Sequence, residues 1–288
     1  MIFSNSDRRR PIVRYGLRIT QGLLLAALVV IGLGPILLLA KSAITPTQDT
    51  LRQPMALWPH GMDWANLSTA WTTMQLGHYI WNTVVLAAGS WIAQIFVATT
   101  AGYALSVLRP KYGPILSGLV LGTLLVPTVV LLVPLYLTIL NPPGLHHSLL
   151  NSFWAVWLPA GANAFNILLI KRFFDNLPRE IFEAARADGA GPFRLFWSIV
   201  LPMSRPILGV VSVFAIIASW KDFLWPLLVL PDPGKQPLSV RLPTLAGSVE
   251  LDILLAGLLI STLIPIVLFL LVQRLFLRGA SLGGAIKG

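Results

Sequence analysis

The stretch EAARADGAGPFRLFWSIVLP, Glu183 to Pro202, decides how this chain is read. It is polar, broken by Gly189 and Gly191, and set between two long apolar runs. Three residues separate Glu183-Ala184-Ala185 from Gly189, nine more separate Gly189 from Ile199, and Leu201-Pro202 closes the run. Just upstream, Leu177-Pro178 opens a short helix where a missing N–H costs nothing, with Asn176 as its expected cap. Gly189 and Gly191 stop that helix, and Pro192 starts a second that carries Phe193, Leu195, Phe196 and Ile199 as apolar knobs. The product is a helix–turn–helix lying along a membrane surface. Small Ala184 and Ala185 let another surface approach closely, and Glu183 supplies a charge. An ordinary Gly-capped amphipathic helix and a docking surface both fit these residues.

The surrounding chain is membrane protein. Of its 288 residues, 56% are hydrophobic and 11% charged, against roughly 45–50% and about 25% in soluble domains. An aqueous globule cannot hide that much apolar surface, whereas lipid can solvate it. Six apolar runs cover 19–40, 79–108, 115–140, 149–170, 206–230 and 253–277, each at or above the ~20 residues that cross a bilayer. Pro127 and Pro134 should kink the third, and Pro265 the sixth. The first run exceeds the ~7–15 apolar residues of a signal peptide core, so it reads as a retained helix. The expected fold class is an all-α membrane protein with six transmembrane helices. Its expected parts are a basic tail at 1–18, a first helix at 19–40, an extracytoplasmic loop at 41–78, a five-helix core at 79–277 and a tail at 278–288. The core contains the cytoplasmic loop 171–205. Trp58, Trp64, Trp71 and Tyr79 are belt candidates for the outer interface. With both termini in the cytoplasm, the inner segments hold 16 of the 21 Lys and Arg and the outer ones 5, as the positive-inside rule requires.

Several chemistries are excluded. The chain has no Cys, so disulfides and thiolate sites fall away. The basic residues behind the +10 charge lie between apolar runs and not on one face, which fits membrane orientation and not nucleic acid. Gly234-Lys235 lacks the first Gly and the hydroxyl of a phosphate-binding loop, so the chain should not hydrolyse ATP. No His spacing supports a metal site, and none is assigned. A self-sufficient secondary transporter would need repeated halves and buried carboxylate or His relays. A membrane-embedded transferase would need converging acid, base or metal groups. The sequence shows neither pattern clearly, and these two stand as the alternative readings. Gln94, Asn163 and Asn166 are polar groups inside spans, read as interhelical hydrogen bonds or cavity lining, and Gly118 and Gly122 as a close-packing pair. Lys221 and Asp222 fall near the outer edge of the hydrocarbon. Both a snorkelling Lys beside its Asp neighbour and a path-lining pair fit.

The pattern Glu-Ala-Ala, three residues, Gly, nine residues, Ile-x-Leu-Pro resembles the cytoplasmic signature of permease subunits of bacterial ABC importers. Phe173-Phe174-Asp175-Asn176-Leu177-Pro178, Trp220-Lys221-Asp222-Phe223-Leu224-Trp225-Pro226-Leu227 and the Gly-rich tail ending Ala285-Ile286-Lys287-Gly288 narrow the likeness to the carbohydrate, maltose-type group. The group usually has Asn where Lys221 stands. The resemblance implies the type I importer permease fold with a cytoplasmic coupling helix, in which Glu183, Ala184, Ala185, Asp188, Gly189, Ile199, Leu201 and Pro202 meet an ATPase. It implies a substrate path or binding-protein contact at Trp220, Lys221, Asp222, Asn163 and Asn166. It also implies a second permease subunit, two ATP-binding cassette subunits that use ATP and Mg, and an extracytoplasmic solute-binding protein. The chain itself would bind no cofactor and no nucleic acid, would contact membrane lipid, and would sit in a bacterial cytoplasmic membrane importing sugars or sugar-like solutes.

Overall fold

A computed structural model describes residues 11–56, 58 and 61–282, with side chains from 15 to 270 of that set. The Arg8 to Arg10 part of the basic tail and the 283–288 end of the Gly-rich tail lie outside the described residues. The helices are α1 (Pro11–Ala43), α2 (Thr47–Arg52), α3 (Ala65–Thr73), α4 (Leu76–Tyr103), α5 (Gly113–Thr123), α6 (Leu132–Leu140), α7 (Trp154–Gly161) and α8 (Ala164–Asp175). There follow α9 (Arg179–Ala187), α10 (Pro192–Leu195), α11 (Leu201–Met203), α12 (Arg205–Lys221), α13 (Leu224–Val229), α14 (Leu238–Leu245) and α15 (Leu251–Leu282). Turns of π-helix extend α4 over Ala104–Leu108 and join α10 to α11 over Phe196–Val200.

The chain divides into two compact units, one of residues 1–74 and 245–260, the other of 75–244 and 261–288. In the first, α1 is apolar on every side between Gly22 and Ala40 and exposes Leu23, Leu25, Leu28 and Ile31, a surface for lipid. The loop after α1 folds back onto its end. Asp63 N–H donates to Ile44 O at 2.7 Å, and Asn66 Nδ2 donates to Ala43 O at 3.3 Å. The Asp252 N–H at the start of α15 donates to Thr47 Oγ1 at 3.2 Å.

The second unit is built around α4, against which α7, α8 and α12 pack. Two apolar clusters sit along it. One holds Tyr103, Ile170, Phe174, Phe182, Leu195 and Phe196. The other holds Leu86, Ile139, Val156, Trp225 and Val229. Close approach is made possible by glycines. The Trp157 ring of α7 occupies the space where a side chain on Gly89 would stand, and Gly161 lies against Ala93 and Val97. The segment 234–238 is strapped to the start of α4. Asn82 Nδ2 donates to Gly234 O at 2.8 Å and Gln236 O at 3.1 Å, and Leu238 N–H donates to Thr83 Oγ1 at 2.9 Å.

Among the described residues, three helical segments are long and apolar enough to cross a membrane: Tyr15–Ala43, Leu76–Leu108 and Leu251–Leu270. Two more qualify if bent pairs count as one span: Gly113–Thr123 with Thr128–Leu140, bent by 101°, and Pro192–Met203 with Arg205–Lys221, bent by 77°. The bend in the third run falls at Pro127, where the missing N–H ends the ladder. The expected fourth span, 149–170, is instead two helices, α7 and α8. Asn163 adopts an extended conformation and its side chain takes the Asn166 N–H, so it is the N-cap of α8 and not a mid-helix residue. The expected fifth span, 206–230, stops at Lys221, and α13 is separate. Asn176 does not cap α9. It ends α8, and Pro178 stands at the N-cap position of α9 with no side-chain bond. Gly118 and Gly122 have no neighbour close enough to touch an added methyl, so the close-packing role passes to Gly89, Gly102 and Gly161.

Gly89→Ala is expected to destabilise the detergent-solubilised protein by about 1–3 kcal/mol, the usual range for overpacking. Gly118→Ala should leave its melting temperature unchanged or raise it, since Ala is favoured over Gly in a helix by about 1 kcal/mol. Equal responses at the two positions would contradict the Trp157 contact.

Candidate functional site

Two regions gather the residues that the sequence singled out. The first is the polar elbow between α8 and α12. On α9, Phe182 and Ala185 turn into the apolar cluster around Phe174, while Arg179, Glu180, Glu183, Ala184 and Asp188 are exposed. One helix face is thus anchored and the other is free. Gly189 takes a left-handed φ of 78°. Ala190 N–H then donates to Ala185 O at 2.9 Å and Gly189 N–H to Arg186 O at 3.0 Å, the paired bonds of a Schellman cap. Pro192 opens α10, and the Tyr103 hydroxyl donates to Pro192 O at 2.7 Å, fastening the elbow to the end of α4. Leu195 and Phe196 are buried, Ile199 and Leu201 half-buried, and Pro202 exposed. Buried Ser204 closes the turn by donating to Val200 O at 2.6 Å.

A polar hub that sequence reasoning missed lies beneath α9. Asp175 accepts from Lys171 Nζ at 2.9 Å and from Ser106 Oγ at 2.7 Å. Arg109 Nε donates to Ser106 O at 2.7 Å. A cavity of about 160 Å³ beside them is lined by Arg109, Asp175, Arg179, Glu183 and Arg186 among others. Burial of the Asp175 carboxyl acts to raise its pKa, but the Lys171 and Ser106 hydrogen bonds and the Lys171 and Arg109 charges outweigh it and hold the value below the ordinary one. The Lys171-x-x-x-Asp175 spacing, one helical turn, was the available signal.

A group with a depressed folded pKa stabilises most above its ordinary pKa, and loses that contribution as pH falls through the folded value. Asp175→Asn is therefore expected to cost up to about 1 kcal/mol near neutral pH, since solvent screens a partly exposed ion pair. The gap in melting temperature between variant and parent should close as the buffer is taken below the usual carboxylate range. A gap that persists there would assign the loss to packing.

The second region is a cavity of about 290 Å³ inside the second unit. Asn163 and Asp222 line it, as do Ser90, Gln94, Ser219 and Trp225. Asn166 lies behind the wall and donates from Nδ2 to Gln94 Oε1 at 2.7 Å, an interhelical bond as read from sequence. The Asp222 carboxyl lies beside the Trp225 backbone N–H, and the Asp222 carbonyl accepts from Ser239 Oγ at 2.7 Å. Trp225 Nε1 donates to Ala155 O at 2.9 Å, so its ring is fixed. Trp220 is half-buried and Lys221 exposed, and neither lines this cavity. Ser90 and Ser219 gave no signal in the sequence, because single serines are common in membrane helices.

Residues 98–280 match the family described as binding-protein-dependent transport system inner membrane component. The chain is 31% identical over 276 residues to the sn-glycerol-3-phosphate transport system permease protein of Yersinia pestis, covering 92% of this chain and 96% of the relative. It is 30% identical over 278 residues to the arabinooligosaccharides transport system permease protein of Bacillus subtilis, covering 94% and 96%. A probable ABC transporter permease protein of Bacillus subtilis is 33% identical over 258 residues, covering 88% and 83%. Among solved structures, a bacterial ABC transporter involved in the import of the acidic polysaccharide alginate matches with a TM-score of 0.78 at 21% identity, covering 95% of this chain and 98% of that one. With an exposed elbow bearing the Glu-Ala-Ala-to-Pro pattern, a fold shared with an importer and relatives matched along most of their length, the chain belongs to the binding-protein-dependent inner membrane component family and is a non-catalytic permease subunit of an ABC importer.

Proposed function

We propose that this permease forms half of the membrane pathway of an ATP-driven importer for sugars or sugar-like solutes, glycerophospho and amino-sugar compounds included. Its neighbours would be a second permease, two ATPase subunits that hold ATP and Mg, and an extracytoplasmic binding protein. The observation that carries this reading is the elbow itself. Its α9 has one face sunk in the core and the other, with Glu183 and Ala184, bare. Ala184 and Ala187 leave room on that face for a cleft in a partner, and the Schellman turn at Gly189 holds it in one shape. Glu183, Ala184, Ala185, Asp188, Gly189, Ile199, Leu201 and Pro202 form the coupling segment in this reading, with Ala185 and the half-buried Ile199 and Leu201 as its anchors. Both termini lie in the cytoplasm, and the chain crosses the bilayer six times, α7 and α8 together making the fourth crossing. Closure of the ATPase pair would move two such elbows together, and α8 and α12 would carry that motion inward as a rigid-body switch. Asn163, Asn166 and Asp222 then belong to the solute path. Trp220 and exposed Lys221 belong to its outer rim or to the binding-protein contact.

The chain has no Cys of its own, so Glu183→Cys introduces a single thiol. That thiol is expected to crosslink to an ATPase subunit, and to react with a membrane-impermeant maleimide in inside-out vesicles alone. Ala184→Trp should leave stability intact, because the position is exposed, while lowering solute-stimulated ATPase more than tenfold. Labelling from the outer face would overturn the orientation. A fully active Ala184→Trp complex without the crosslink would overturn the docking.

A further inference from the structure

The polar cavity carries an inference about what passes through. Its six polar or aromatic lining groups come from α4 (Ser90, Gln94), the α7–α8 break (Asn163), the end of α12 (Ser219), the α12–α13 break (Asp222) and α13 (Trp225). Three of these carry hydrogen-bonding capacity that the fold leaves unused. Ser90 is 1% exposed, and its hydroxyl is buried without a partner. Such a hydroxyl can turn back onto the carbonyl four residues earlier, as Thr83, Thr99 and Ser212 do at 2.6 to 2.7 Å. Ser90 does not, and an unpaired buried hydroxyl is costly. Gln94 spends its oxygen on Asn166, and its amide nitrogen bonds to no other described residue. Asn163 spends its oxygen on the Asn166 N–H, and its amide nitrogen is likewise free among the described residues.

Charge and size narrow the occupant. No Lys, Arg or His lines the cavity, and Asp222 is its one ionisable group. An anionic solute would meet a like charge in a partly desolvated space, where repulsion is stronger than in water. A volume of about 290 Å³ stands at the small end of ligand sites, which run from about 300 to 1,000 Å³. Trp225 adds a fixed aromatic surface, and such surfaces suit the apolar faces of sugar rings. We propose that this permease itself holds a binding site for a neutral, polyhydroxylated solute unit of monosaccharide size, with Ser90, Gln94 and Asn163 bonding its hydroxyls and Asp222 excluding acidic analogues. The proposal rests on the importer reading above and adds that specificity is written into this subunit as well as into a binding protein.

The test uses the purified permease–ATPase complex with the binding protein omitted. Binding of labelled glucose and arabinose is measured by equilibrium dialysis against glucuronate and glycerol 3-phosphate. Saturable binding of a neutral sugar, and little of either anion, is expected. Ser90→Ala should weaken it about tenfold without lowering the melting temperature, because removing an unpaired buried hydroxyl relieves a cost and does not create one. Asp222→Asn should narrow the discrimination against glucuronate. Three results would overturn the proposal: no saturable binding of either neutral sugar, preference for an anion, or neutral-sugar binding unchanged by both Ser90→Ala and Gln94→Leu. The importer reading fails by a separate result, namely a chain that does not co-purify with an ATPase at all.

Discussion

Lipid offers no hydrogen-bond partners, so every place where a helix of this chain stops inside the apolar bundle must be closed by the chain itself. That constraint organises the second unit. The break between α7 and α8 is closed by Asn163 on the Asn166 N–H. The break between α12 and α13 is closed by Ser239 Oγ on the Asp222 carbonyl. The turn into α12 is closed by Ser204 on the Val200 carbonyl. The groups that close two of these breaks, Asn163 and Asp222, also line the polar cavity. The side chains at these breaks are thus also the ones that face the cavity proposed for the solute.

The same arrangement ties the elbow to the cavity through covalent lengths of helix. The 12 residues of α8 run from Asn163 at the cavity to Asp175 at the hub under α9, and the 17 residues of α12 run from the elbow to Asp222. At ~1.5 Å per residue these are levers of about 18 and 25 Å. Each has one end beside the surface proposed for the ATPase and the other at the cavity. The α4 helix spans both ends and is fastened at each, by Tyr103 to Pro192 on one side and by Asn82 to the 234–236 segment on the other.

Legibility from sequence followed the range of the interaction. The elbow was readable because its signals are local: Gly189 for a left-handed turn, Pro192 for a first helical turn, and apolar knobs at Leu195, Phe196 and Ile199. Membrane class and the long spans at α1, α4 and α15 were readable from hydropathy alone. The breaks were not. A run such as 149–170 is apolar throughout, and hydropathy does not register that Asn163 caps a helix rather than decorating one. Asp222 was seen as an expensive charge, but its place in the cavity wall depends on a break two residues long. Gly118 and Gly122 had the spacing of a packing motif, whereas the glycine in contact, Gly89, is paired with a Trp sixty-eight positions away. That partnership is tertiary and leaves no local trace.

The Trp157 ring seated over Gly89 has a mechanical consequence. An indole in a notch without a side chain fixes both the rotation and the axial register of α7 on α4, as a key fixes a shaft. Sliding by one residue would drive the ring toward Ala88 or Ser90, each of which carries a Cβ where Gly89 has none. These two helices therefore travel as one jaw.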